Sequence, residues 1–289
     1  PIYPTLDFGF FQFLRRNYVP IGLFYRDIYW RFPFYRKQVS WLKRTIAIIN
    51  YRYDWWQYQR KVDHLFLPSA KMKAYLPVEW PADRCSQLPP GCDLIPVTKE
   101  QSFAGDEGRI LRLFYVGGVM PPLYDLRPTM HLLRDMENMH LTLCCRREEW
   151  SIAKKYYEEV MPSNITIVHA SGAQLLNYYQ AADVFLICRA GNKYLDFALP
   201  VKVLEALGYA LPIVTLRGSE ASRFIEAEGT GWVVSSLREM RELLEGLCRN
   251  RERLEQKRVE LLNIRKKHTW ETRAMSVAET LSRYKESIS

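Results

Sequence analysis

From about residue 109 onward the chain alternates between short apolar runs and longer amphipathic stretches. Residues 111–116, 141–145, 165–168 and 184–188 are short, mostly apolar segments that read as strands. Between them, residues 126–138, 148–160 and 173–181 repeat apolar positions at helical spacing. Strands alternating with helices predict an α/β fold, a parallel sheet wrapped on both faces that takes ligands at the carboxyl ends of its strands. Residues 237–260 read as one long charged helix and 271–285 as a last one.

The N-terminal third follows the same grammar less regularly. Residues 18–25 read as a buried strand ending in the loop Arg26-Asp27, and 38–60 as a helix with Trp41, Ile48, Ile49 and Trp55 on its apolar side. Residues 62–69 read as another strand, and Ser69 is placed to cap a short helix over 70–76. Breakers crowd from Pro89 to Pro96, and the polar stretch 98–108 continues them as a linker. The expected organisation is a first domain over 1–96, a second over 97–270 and a closing helix over 271–289.

Composition sharpens this picture in two places. Apolar content of 48% and charged content of 25% are ordinary for a globular chain of 289 residues. No apolar run nears the ~20 residues that span a bilayer. The net charge of +9 is concentrated: from Arg15 to Lys61 there are eleven basic residues against Asp27 and Asp54. Aromatics such as Tyr29, Trp30, Trp41, Trp55 and Trp56 are interleaved with them. That mixture suits an anionic membrane surface, where rings sit at headgroup depth. It also suits an aromatic core with solvated charges, or stacking on single-stranded nucleic acid, the last being disfavoured. The six cysteines and five histidines show no metal-ligand or triad spacing. A reducing compartment, no metal and no signal peptide are the expectations, which place the protein in the cytoplasm or peripherally on the inner face of the membrane.

Candidate chemistry gathers in residues 197–215. Lys202 and Glu205 stand three apart in an otherwise apolar run that breaks at Gly208 and Pro212 before the β-rich Ile213-Val214-Thr215. On a helix the two charges share one face near its start. A helix N-terminus beside a lysine attracts phosphate, and a glutamate one turn on accepts hydrogen bonds from sugar hydroxyls. The same spacing fits an ordinary amphipathic helix, and both readings stay open on these residues alone. Gly117-Gly118 after a strand offers close backbone approach and N–H donors to a ligand, or is a tight turn, and it lacks the three-glycine dinucleotide fingerprint. Arg189 directly follows a strand on the same predicted edge. Asp183 is read as capping a turn before a strand, and Arg146 and Arg147 as surface charges.

These residues resemble the GT-B glycosyltransferases, especially the retaining family-4 group, over most of the chain. Leu88-Pro89-Pro90-Gly91-Cys92-Asp93 looks like that group's interdomain signature, and Phe114-Tyr115-Val116-Gly117-Gly118 is similar to its first nucleotide-domain strand and glycine loop. The stretch from Asn177 to Ile187 and the segment from His268 to Ala274 match in order and spacing. The resemblance implies two Rossmann-like domains with parallel sheets, the N-terminal one incomplete. It implies a glycosyltransferase, hexosyltransferase-like and acting in polysaccharide biosynthesis. Such an enzyme moves a sugar from a nucleotide-diphosphate donor to a membrane-proximal glycan or lipid-linked acceptor with retention. Gly117, Gly118, Arg189, Lys202, Val203 and Glu205 become the donor-binding residues, and Asp27, Asp196 and Lys202 the catalytic ones. The family's paired-glutamate motif places its second carboxylate on Glu205 and its first on Phe197, beside Asp196. That departure motivates an alternative, a non-catalytic relative that binds nucleotide sugar or lipid as a partner subunit.

Overall fold

The computed structural model describes residues 4–33, 35, 39–97, 110–188 and 193–286, so the linker read over 98–108 lies outside the described residues. Two units are distinguished, one of Pro1–Pro90, Phe197–Leu199 and Glu271–Ser289 and one of Gly91–Asp196 and Pro200–Trp270.

In the first unit, helices α1 (Pro4–Arg16) and α2 (Trp41–Lys61) accompany the strands β1 (Gly22–Phe24), β2 (His64–Leu67) and β3 (Cys85–Gln87). The three strands pair in parallel in the order β1-β2-β3. Every residue of central β2 is buried, as its continuous apolar run requires. Neither α1 nor β3 is among the elements that the apolar pattern predicts. Cys85-Ser86-Gln87 has no apolar run and is extended because its backbone pairs with β2. The aromatic-rich basic region divides physically. Trp55, 1% exposed, packs 4.7 Å from Tyr25 and 6.0 Å from Trp80 in the core, whereas Trp41 is 71% exposed. Phe8 of α1 meets Tyr53 and Tyr58 of α2 edge-on.

Phe197 also belongs to this core. Its ring lies 5.6 Å from Phe32 and 5.1 Å from Tyr75, and its carbonyl accepts the Ser69 hydroxyl at 2.6 Å. His64 joins β2 to β3 and to the C-terminal helix Trp270–Glu286: Nε2 is 2.8 Å from Ser86 Oγ and Nδ1 3.0 Å from Tyr284 Oη. Burial, then the Arg84 and Arg283 charges, hold this imidazole below its ordinary pKa.

The second unit runs β4 (Leu111–Val116), α3 (Arg127–Leu133), β5 (Met139–Cys144), α4 (Arg147–Ala153), β6 (Ile165–Val168), α5 (Leu175–Ala181) and β7 (Val184–Ile187). It continues through α6 (Val201–Gly208), β8 (Ile213–Leu216), α7 (Glu220–Glu228), β9 (Gly231–Val234), α8 (Leu237–Arg249) and α9 (Glu252–Ile264). All six strands are parallel in the order β6-β5-β4-β7-β8-β9, so the direction of winding reverses between β4 and β7. Such a switch point opens a crevice at the carboxyl ends of those two strands.

Two departures from the sequence pattern have clear causes. The single helix read over 237–260 is two helices, parted where Arg251 turns inward, 8% exposed, to reach buried Asp183 at 3.1 Å. Charge periodicity cannot reveal a buried arginine. Asp183 therefore does more than cap a turn: it also accepts from Arg112 N at 2.8 Å and Arg112 Nη2 at 2.9 Å. Burial lowers the Arg258 guanidinium nearby to about 10. The second departure is the pair α7 and β9, whose signals are the Ser219–Ser222 capping box and Gly229 at φ 66°. At Gly91 a side chain is impossible, because a Cβ would stand 2.6 Å from the Trp270 backbone nitrogen.

Candidate functional site

Lys202 and Glu205 sit on the first turns of α6, whose N-cap, Pro200, has no side chain able to satisfy the helix N–H groups. As the spacing predicts, they share a face: Lys202 Nζ is 2.8 Å from Glu205 Oε1 and 2.7 Å from Oε2. Each side chain keeps about a third of its surface, 34% and 32%, open to solvent. Cys144 at the end of β5 locates the ammonium. Burial pushes its thiol up, while a backbone hydrogen bond with Ala170 and the Lys202 charge pull the other way. The lysine therefore stands over the carboxyl ends of the strands, where an anion would bind.

Glu205 has a second partner. Tyr179 of α5 donates its hydroxyl to Oε2 at 3.0 Å. Its ring, 2% exposed, is stacked on Tyr209 at 4.5 Å and 9°. Burial, then the Glu205 charge, pushes the phenol pKa upward, so it stays a donor.

The glycine loop is built differently from the sequence expectation. Gly117 N–H is spent on the Cys144 carbonyl at 3.1 Å, and a Cβ at Gly118 would meet the Tyr124 ring at 2.5 Å. Close packing against Tyr124 requires the second glycine. The next two N–H groups, of Val119 and Met120, donate to Glu149 Oε1 at 2.7 and 3.1 Å, so a carboxylate of this chain already fills that nest.

The remaining candidates fall as follows. Val203 is wholly buried and its N–H is bonded to the Pro200 carbonyl, which leaves it nothing to offer a ligand. Asp196 is paired with Arg223 of α7, Nη2 to Oδ1 at 3.1 Å, and Arg223 is shared with Glu220 at 2.9 Å. Phe197, where the family motif has a carboxylate, is an aromatic packed in the core of the first unit. Asp27 belongs to that unit, and its carboxylate accepts the Tyr29 N–H at 3.0 Å. Arg189 lies outside the described residues. Sequence reasoning missed Tyr179, Arg223 and Glu149. Helical spacing from Leu175 could place Tyr179 inward, but nothing in the sequence joins Tyr179 or Arg223 to its carboxylate partner. Among the described residues no three His, Cys, Asp or Glu side chains group as a metal site.

A family model described as glycosyl transferase-like matches residues 127–279, more than half of the chain. The chain belongs to the glycosyl transferase-like family. No curated protein sequence matches it. Among solved structures, Anabaena HepE in complex with UDP and glucose is similar over 91% of this chain and 71% of its own, at 14% identity and a TM-score of 0.66. The lipopolysaccharide outer core galactosyltransferase WaaB is similar over 78% and 63%, at 10% identity and a TM-score of 0.58. A mutant of S. aureus TarM in complex with UDP is similar over 78% and 45%, at 12% identity and a TM-score of 0.58. The chain thus spans between 45% and 71% of these proteins' lengths. The likeness establishes the GT-B fold, with its parallel sheets. In this glycosyl transferase-like chain the matched stretch contains Tyr179, Asp196, Lys202, Glu205 and Arg223, while the glycine loop precedes it.

Proposed function

We propose that this protein transfers a glycosyl group from a nucleotide-diphosphate sugar to a glycan or lipid-linked acceptor near a membrane, with retention. One observation carries the reading: a lysine and a glutamate on an uncapped helix N-terminus, over the carboxyl ends of a parallel sheet in a glycosyl transferase-like chain. Lys202 and the first N–H groups of α6 hold the diphosphate and stabilise the charge that develops on it as the glycosidic bond breaks. Glu205 accepts hydrogen bonds from the ribose hydroxyls. Asp196, kept in place by Arg223, or Asp27 faces the reacting sugars. The departing phosphate takes the acceptor's proton, so catalysis rests on charge stabilisation and positioning.

The membrane part of the proposal is supported by the exposed apolar residues Leu6, Phe10 and Phe13 of α1 and Trp41, Leu42 and Ile46 of α2, among the basic side chains Arg15, Arg16 and Lys43. Among the described residues no helix is long and apolar enough to cross a membrane.

Because HepE was solved with UDP-glucose, uridine nucleotides are the first probes. Incubated with UDP at a hundred times its Kd, the protein gains about 2.7 kcal/mol, a rise of several degrees in melting temperature. Release of UDP from UDP-sugars then measures turnover. Indifference to every nucleoside diphosphate would falsify the proposal. Phe197 in place of a carboxylate favours a second reading, a binding subunit without turnover, which predicts stabilisation by UDP but no release of it from UDP-sugars.

A further inference from the structure

Lys202 as it stands occupies both oxygens of Glu205, and on the proposed function it must leave them to meet a diphosphate. A carboxylate that loses the one cation it pairs with among the described residues, on a helix face about one-third exposed, is free to change rotamer. The geometry around Glu205 supplies what holds it.

We infer that Tyr179 is a positioning residue, whose hydroxyl keeps Glu205 oriented toward the ribose diol while Lys202 turns to the diphosphate. The inference rests on the ribose-binding reading of Glu205. Tyr179 is enclosed on several sides: stacked on Tyr209 at 4.5 Å, edge-on to Phe114 at 4.9 Å, and near Phe185 at 5.9 Å. Phenylalanine would fill that space equally well. Only the hydroxyl, 3.0 Å from Glu205 Oε2, distinguishes tyrosine there, and a buried hydroxyl without an acceptor is costly. The two donors to Glu205 therefore differ in mobility. Lys202 has a long, partly exposed stem that can redirect its charge, whereas the Tyr179 ring cannot move without displacing its neighbours. After Lys202 leaves, Tyr179 satisfies one lone pair of Oε2, and the other positions of the carboxylate can accept both hydroxyls of a vicinal diol. Tyr179 itself stays out of contact with the ligand.

The test is calorimetric titration of the full chain with UDP and with 2′,3′-dideoxyuridine diphosphate at fixed salt, for wild type, Tyr179→Phe and Glu205→Gln. Wild type should prefer UDP. Tyr179→Phe should weaken UDP about 3- to 10-fold, the range for one hydrogen bond, and leave the dideoxy ligand within about 2-fold. Equal weakening of both ligands would mean that the ring is merely structural and would overturn the inference. So would an unchanged preference in Tyr179→Phe accompanied by a lost preference in Glu205→Gln. If wild type itself binds the two ligands equally, the ribose reading of Glu205 fails and the inference falls with it. Because the phenylalanine ring keeps every ring contact, the variant folds.

Discussion

Arg251 Nη1 stands 3.1 Å from Asp183 Oδ2, with the two side chains 8% and 1% exposed. Arg112 closes on the other oxygen at 2.9 Å, so the aspartate is hemmed by cations at the start of β7. Removing one member of a buried pair strands the other, here Arg251, without solvent, at a cost of about 3–5 kcal/mol. Asp183→Ala should therefore lower the melting temperature of the second unit by about 10 °C, read by circular dichroism. A loss of only a degree or two would show that water reaches the cluster.

Lys202→Ala should behave in the opposite way. The Lys202–Glu205 pair is about one-third exposed, and such i,i+3 pairs contribute about 0.5 kcal/mol or less to stability. On the proposed function Lys202 stabilises the charge of a leaving group, a larger effect whose loss slows turnover by ~10² or more. Unfolding should barely shift while UDP release from the preferred donor collapses. An unchanged release rate would remove Lys202 from the mechanism.

Burial pushes the Cys145 and Cys188 thiols up to about 12. At pH 8 the thiolate fraction is then on the order of 10⁻⁴, and only the thiolate is nucleophilic. Brief treatment of the native protein with iodoacetamide should leave both unmodified in a peptide mass map, and treatment in urea should modify both. Alkylation of Cys188 in the folded protein would show that β7 opens readily.

His64 makes stability depend on pH in the first unit. Its folded pKa is depressed, against about 6.5 when unfolded. Above about pH 6.5 both states are neutral and the contribution is fully present; below it the unfolded chain binds a proton that the folded one refuses, so stability falls toward the folded pKa. The loss is at most about 1.4 kcal/mol per pH unit. Melting temperature followed downward from pH 7.5 should fall more steeply for wild type than for His64→Gln. Parallel curves would rule out this imidazole as the cause.

Much of the second unit was legible because its inner strands are mostly buried, so an apolar run and a strand nearly coincide at Val184–Ile187 and Ile213–Leu216. The face shared by Lys202 and Glu205 was legible for a similar reason, since helical spacing alone places them together. What the sequence concealed were relationships across the fold. Tyr179 reaches Glu205 over 26 positions and Arg223 reaches Asp196 over 27, separations that no local pattern encodes. Glu149 was hidden likewise, because a carboxylate early in a helix reads as ordinary complement to the dipole until the N–H groups it fills are seen.

Strand β7 has the Asp183 cluster before it and the strand ends near Lys202 beyond it, with four residues, about 13 Å, between. Substitutions at such a separation usually add independently. Robustness and the proposed chemistry are thus lodged at opposite rims of one sheet, and a chain of this build can change what it binds at one rim while its endurance is repaired at the other.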